Sequence, residues 1–214
     1  MKKYWENKFL EIGTMWGYEP SDSAICTYKF FKKNNIQNIL IPGVGYGRNA
    51  KIFLDGNIHV TGIEISESAI KLAQKNSLNF NIYNGSVTQM PFDEQKFDGI
   101  FCYALIHLLN KNERRKFIQD CFNQLDINGY MVFVVVSKKS NMYGNGKKLS
   151  TDRFELMNGL NVYFYDNDSA VSEFKNCGLI EVKEFDEPIK HLDNQQPLSC
   201  IMITCKKNYE NVSC

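Results

Sequence analysis

Short apolar runs rich in β-branched and aromatic residues alternate along this chain with stretches whose apolar residues recur every three or four positions. The runs at 38–41 (NILI), 58–65 (IHVTGIEI), 80–84 (FNIYN), 97–104 (FDGIFCYA), 129–137 (GYMVFVVVS), 179–185 (LIEVKEF) and 198–207 (LSCIMITCKK) read as strands. The segments between them read as helices. SDSAICTYKFFKKN offers Ser21 and Asp22 as N-caps, GRNAKIFLD follows a cluster of glycines, and SESAIKLAQKNS begins at Ser66. NKNERRKFIQDCFNQL puts Phe117, Ile118, Cys121, Phe122 and Leu125 on one face. DNDSAVSEFKNCG carries Ala170, Val171, Phe174 and Cys177 at helical spacing and stops at Gly178. The alternation predicts an α/β fold: a doubly wound, mostly parallel sheet with helices on both faces. EPIKHLDNQQPLS is polar, holds two prolines and reads as a loop, too short for a helical crossover, so the last strand is expected to run antiparallel.

The pattern breaks at residues 38–53, NILIPGVGYGRNAKIF, where Gly43, Gly45 and Gly47 stand on alternate positions between a strand and a helix. Glycine weakens both kinds of element, so the backbone there must need to be bare. In a parallel sheet the first strand–helix turn faces the ligand crevice, and its main-chain amides are expected to be unshielded. An acid at the end of the next strand completes a nucleoside site. Glu64 lies there, 21 positions after Gly43. Glycines plus Glu64 point to an adenosine-containing ligand, the carboxylate accepting from both ribose hydroxyls. A dinucleotide fingerprint needs a small third residue, and Arg48 stands in its place.

Composition narrows this further. The 214 residues are enough for one generous domain, and a net charge of +1 gives no surface that tracks nucleic acid or membrane. No apolar run approaches the roughly 20 residues of a membrane span. MKKYWENKFLEIG has no apolar stretch behind its lysines and does not read as a signal peptide. Seven scattered cysteines without a C-x-x-C pair suit reduced thiols in a cytoplasm. His59, His107 and His191 lie too far apart for a zinc site, and His59 and His191 read as structural or solvated.

From about residue 16 to 207 the chain resembles the class I S-adenosylmethionine-dependent methyltransferases. The likeness is carried by IPGVGYGRNA, by Glu64 in GIEISESAI, by NGSVTQMPFDEQKFDGIFCYALIHLL, by LDINGYMVFVVVS and by FKNCGLIEVKEF, in that order. The resemblance implies a Rossmann-like seven-stranded sheet ending in a reversed strand. It also implies S-adenosylmethionine as cofactor and S-adenosylhomocysteine as product. The cofactor residues it implies are Trp16, Gly43, Val44, Gly45, Gly47, Asn49, Glu64, Ile65, Ser66, Ser86, Val87 and Tyr103. Two positions depart from the pattern. Ile41 replaces the usual acid before the first glycine, and Ser86 replaces the usual adenine-binding Asp. The branch it looks most like includes tellurite-resistance and thiopurine-type enzymes.

A sulfonium methyl donor needs no activated leaving group, so positioning can supply most of the catalysis. Trp16 and Tyr18 in MWGYEPSDSA are candidates for aromatic faces near the sulfonium. Tyr103 and His107 follow the fourth strand at the rim where the acceptor should lie, and His107 is the candidate proton acceptor. Residues 138–168 form the least regular region, with Gly144, Gly146 and Gly159, four lysines (138, 139, 147 and 148), Arg153, Tyr163 and Tyr165. As an acceptor lid it would favour a small anion. The chain therefore divides into a helical cover segment (1–35), a cofactor-binding core (36–137), the lid (138–168), the last helix and closing strands (169–207) and a frayed tail (208–214) that holds Cys214. The expected activity is methyl transfer to a small-molecule acceptor, with no nucleic-acid or membrane partner. A non-catalytic cofactor sensor and a nicotinamide-dependent oxidoreductase are the competing classes.

Overall fold

The computed structural model describes residues 1–76, 78–91, 95–156, 159–187 and 197–211. In chain order the elements are α1 (Lys2–Ile12), α2 (Asp22–Lys33), β1 (Asn38–Pro42), α3 (Ala50–Asp55), β2 (His59–Glu64), α4 (Glu67–Lys75), β3 (Asn81–Asn84), β4 (Phe97–Tyr103), α5 (Lys111–Gln124) and β5 (Leu125–Val136). Then follow β6 (Lys147–Ser150), β7 (Arg153–Glu155), β8 (Asn161–Tyr163), α6 (Asn167–Phe174), β9 (Leu179–Glu187) and β10 (Leu198–Lys206).

The main sheet has seven strands in the order β3-β2-β1-β4-β5-β10-β9. The first five pair parallel, and β10 runs antiparallel to both of its neighbours, as the short last connection requires. Most of that connection, with His191, lies outside the described residues, as does Cys214.

Each central strand feeds two cores, because successive side chains point to opposite faces. Leu40, Ile100, Cys102, Met131 and Phe133 pack under α5 and α6. Ile39, Ile41, Phe101, Val132 and Val134 pack under α2 and α3. That is why these strands read as continuous apolar runs rather than alternating ones. Phe133 touches Phe117 and Phe174 edge-on, at 5.9 and 5.0 Å between ring centroids. In α6, Ala170 and Phe174 are buried, as is Cys177 in the turn that follows, while Val171 is 44% exposed and leaves the expected apolar face.

The caps follow the sequence signals. Ser21 Oγ accepts from Ala24 N–H, and Ser66 Oγ accepts from Ala69 N–H. Asn110 and Glu113 form a reciprocal capping box on α5. Gly178 closes the 3-10 turn after α6 in the left-handed region, φ 68°. Lys207 adds a cap that the sequence does not announce. Its buried Nζ donates to the carbonyls of Phe122 and Leu125, both at 2.8 Å, at the C-terminus of α5.

The irregular region contains order of its own. β6, β7 and β8 form a three-stranded antiparallel sheet. Phe154, Val162 and Phe164 pack it onto Leu108 and Val136. Arg153 ties it down by donating to the carbonyls of Leu109 (2.7 Å) and Leu108 (3.5 Å).

Candidate functional site

The crevice lies where β1, β2 and β4 end, and its cavity is about 360 Å³. Its walls include Trp16, Gly43, Val44, Gly45, Asn49, Glu64, Ile65, Ser86, Val87, Tyr103 and His107, so most of the residues singled out in the sequence face one space. Gly47 and Ser66 are not part of its lining. Gly47 has φ 84°, and a Cβ on it would lie 2.5 Å from Leu78 Cδ1, so its bareness serves packing. Ser66 caps α4 and is fully buried.

The glycine turn is more closed than the sequence suggests. Gly43 N–H donates to the Ile63 carbonyl at 2.8 Å, Val44 N–H to the same carbonyl at 3.3 Å, and Gly47 N–H to Val44 at 3.1 Å. Gly45 N–H donates to Glu64 Oε2 at 2.9 Å. Of the amides expected to be unshielded, those of Gly43, Val44 and Gly45 are engaged with β2, and that of Gly47 closes the turn on itself. The glycines supply backbone shape instead: Gly43, Gly45 and Gly47 all have positive φ. At Gly43 a Cβ would press on Leu105 at 3.1 Å, so the turn lies flat under the loop after β4.

Glu64 is held by two amides, Gly45 N–H on Oε2 and Ser66 N–H on Oε1, both at 2.9 Å. Burial raises its pKa, and these amides oppose the rise. Each oxygen has a second lone pair, so a carboxylate in this frame suits a vicinal diol. On the far wall Ser86 Oγ caps the 3-10 turn Val87–Gln89 and lies 2.8 Å from Thr88 Oγ1, setting two hydroxyls beside Val87.

An aromatic cover closes the mouth. α1 is amphipathic, and its Trp5 and Phe9 face the crevice with Met1. Trp16 stacks on Tyr46 at 6.3 Å and 11°, and Phe9 meets both rings edge-on. Tyr46 Oη accepts from Trp16 N–H and donates to the Gly17 carbonyl at 2.8 Å. Glu6 pins α1 to the start of α4, accepting from Ser66 Oγ (2.7 Å), Ser68 Oγ (2.6 Å) and Ser68 N–H (3.3 Å). Trp5, Phe9 and Glu6 escaped the sequence reading, although Trp5 and Phe9 sit four apart, on one helical face. Tyr18 is 58% exposed and lies outside the wall.

The other end of the crevice is mostly apolar, with Leu108, Leu109, Leu160 and Leu198 beside Tyr103 and His107. His107 is buried, and its Nδ1 accepts from Val136 N–H at 3.4 Å. Burial lowers its pKa to about 4. At neutral pH the ring is uncharged with its proton on Nε2, which makes it a donor and a poor general base. Burial raises the Tyr103 phenol, which stays protonated.

Of residues 138–168, Leu160 reaches the crevice wall, while several of the charged and tyrosine side chains singled out there are engaged elsewhere. Lys138 is paired with Asp152 (2.7 Å) and Asp166 (2.6 Å), and Lys139 with Glu184 (2.6 Å). Two of the four expected anion-attracting charges are thus neutralised. Tyr165 Oη donates to Glu173 Oε2 at 2.7 Å, and Arg114 pairs with the same carboxylate and stacks 3.8 Å from the Tyr163 ring centroid. Neither Arg153, Tyr163 nor Tyr165 lines the crevice.

Residues 39–129, which hold the glycine turn, Glu64, Ser86 and the end of β4, match a family model described as a methyltransferase domain. Among solved structures, the chain is similar to the 1,6-didemethyltoxoflavin-N1-methyltransferase of Burkholderia thailandensis, solved with 1,6-didemethyltoxoflavin and S-adenosylhomocysteine. The identity is 14% and the TM-score 0.73, over 97% of this chain and 87% of that one. The CcbJ methyltransferase of Streptomyces caelestis gives 14% identity and a TM-score of 0.73, over 97% and 99%. TehB of Haemophilus influenzae gives 15% and 0.67, over 95% and 67%. No curated protein sequence matches the chain. At such identities the structural likeness speaks for the fold, and the matched domain speaks for the chemistry. Residues 39–129 match a methyltransferase domain, and the chain as a whole has the fold of the methyltransferases named above.

Proposed function

We propose that the protein transfers a methyl group to a small-molecule acceptor, with the nucleoside of the cofactor held between Glu64 and Ser86 and the acceptor held between Tyr103, His107 and the cover. The observation that carries this is the convergence of the glycine turn, Glu64 and the aromatic cover on one crevice. S-adenosylmethionine supplies, when bound, a sulfonium methyl that is already electrophilic. Glu64 would fix the ribose, Ile65 and Val87 would flank the adenine, and the Ser86 hydroxyl would take its amine.

The protein's own contribution is then position and dryness. Trp5, Phe9 and Trp16 exclude water from the mouth and present ring faces, which suit a cation better than a fixed carboxylate, because a carboxylate would stabilise the charge that is lost in the reaction. With His107 neutral and Tyr103 protonated, the acceptor end offers donors rather than a base. The nucleophile would arrive with its lone pair available, oriented by the His107 Nε2–H and the Tyr103 hydroxyl. A small acceptor fits the enclosed, apolar wall, and the scattered thiols suit a cytoplasmic setting. Among the described residues no helix is long and apolar enough to cross a membrane.

The test is incubation of the protein with methyl-labelled S-adenosylmethionine and a metabolite extract. Label appearing in a low-molecular-weight product supports the reading and names the acceptor class. Tight S-adenosylhomocysteine binding without any labelled product would instead mean a cofactor sensor.

A further inference from the structure

Among the described residues, Arg48 is the one Lys or Arg side chain in the crevice wall. Its Nη1 donates to the Trp16 carbonyl at 3.2 Å. Its guanidinium carbon lies 5.8 Å from the centroid of the Tyr103 ring. Among the described residues no carboxylate comes within 4 Å of it: every ion pair there involves other cations.

The nearby acids are committed elsewhere. Glu64 is turned to the amides of Gly45 and Ser66. Glu113, also on the wall, accepts from Asn110 N–H at 2.8 Å within the capping box of α5. Glu187, behind Tyr103, accepts from the amides of Asp22 (2.6 Å) and Ser23 (3.3 Å). A guanidinium has five N–H donors in a planar fork, and the one carbonyl it holds leaves most of that fork for a ligand. Holding the Trp16 carbonyl would need only a neutral donor. A permanent charge on the wall of a largely apolar cavity is positioned to meet a counter-charge on the ligand, and a planar fork can hold a carboxylate with two parallel hydrogen bonds.

We propose that Arg48, with the Tyr103 hydroxyl, is the receptor for a carboxylate or similar oxyanion on a ligand of this crevice. The inference rests on the nucleoside reading above. Two molecules can bring that group: the cofactor, through its amino-acid end, or an acceptor that is itself an organic acid. The lysines of residues 138–168 do not compete for the role, because Lys138 and Lys139 are paired and neither Lys147 nor Lys148 reaches the wall.

Calorimetry with three probes on wild type, Arg48→Met and Arg48→Lys decides the matter. The probes are S-adenosylhomocysteine, 5′-methylthioadenosine (the nucleoside without the carboxylate) and benzoate added to protein saturated with S-adenosylhomocysteine. If the cofactor brings the group, Arg48→Met weakens S-adenosylhomocysteine roughly 10- to 100-fold and leaves 5′-methylthioadenosine within about 2-fold, with Arg48→Lys between. If the acceptor brings it, both nucleosides keep their affinity while benzoate binding is lost in Arg48→Met and partly kept in Arg48→Lys. Equal weakening of both nucleosides would reveal a mere anchor for the cover and overturn the proposal. So would an Arg48→Met protein that no probe distinguishes from wild type, including the case in which benzoate binds neither. A wild type that binds neither nucleoside would remove the nucleoside reading itself, and this inference with it.

Discussion

Glu64 and Gly45 are joined directly: the Gly45 N–H donates to Glu64 Oε2 at 2.9 Å, across from the Ser66 N–H on Oε1. The glycine turn and the acid of the next strand, 19 positions apart, are one hydrogen-bonded unit. Removing the carboxylate therefore has two effects. Glu64→Ala is expected to weaken S-adenosylhomocysteine binding by about 1.5–3 kcal/mol, the range for hydrogen bonds to a charged group, and to lower the melting temperature as two amides lose their partner. Calorimetry and a thermal melt check the two separately. Unchanged affinity would mean that the nucleoside binds elsewhere.

Gly47 should separate stability from binding. Gly47→Ala places a methyl 2.5 Å from Leu78 in a backbone that L-residues disfavour, φ 84°. A loss of roughly 1–3 kcal/mol in denaturant melts is expected, with the affinity of the surviving folded protein for S-adenosylhomocysteine nearly unaltered. A binding defect without a stability defect would return Gly47 to the site.

Glu6 is the polar anchor of α1, through Ser66 and Ser68. Glu6→Ala is expected to cost on the order of 1–2 kcal/mol locally. Amide hydrogen exchange should rise across residues 2–12 and stay constant in β4 and β5. Uniform exchange in both segments would show that the aromatic contacts alone hold the helix.

His107 predicts a pH dependence of known sign. Its folded pKa is about 4 and its unfolded value 6.5, so between those limits the unfolded chain binds more protons. Its contribution is complete above about pH 6.5 and is lost as pH falls towards 4, by roughly 3 kcal/mol at most. Urea melts of wild type and His107→Gln over that range should converge at low pH. A rate profile with an ionisation near 6.5 that vanishes in His107→Gln would show instead that the ring works as a base.

The sheet was legible because its signals are local and redundant. Apolar runs such as NILI and MVFVVV, the helix starts at Ser21 and Ser66, and the stop at Gly178 each act within a few residues. The acid Glu64 was legible for the same reason: its distance from the glycines is set by one helix and one strand. What escaped depends on contacts between distant segments. Nothing within MKKYWENKFLEIG says that Glu6 will meet Ser66, 60 residues on. The lysines at 138 and 139 looked like a charged lid because their partners, Asp152, Asp166 and Glu184, lie in other elements. The engaged amides of the glycine turn were misread because their acceptors, the Ile63 carbonyl and Glu64, belong to β2.

The chain has two tryptophans, Trp5 and Trp16, whose rings lie 6.1 Å apart in the cover. Ultraviolet emission excited at the indole band thus comes from the cover alone. The molecule carries its own optical reporter of whether that segment is seated, readable in a stopped-flow cell without a label.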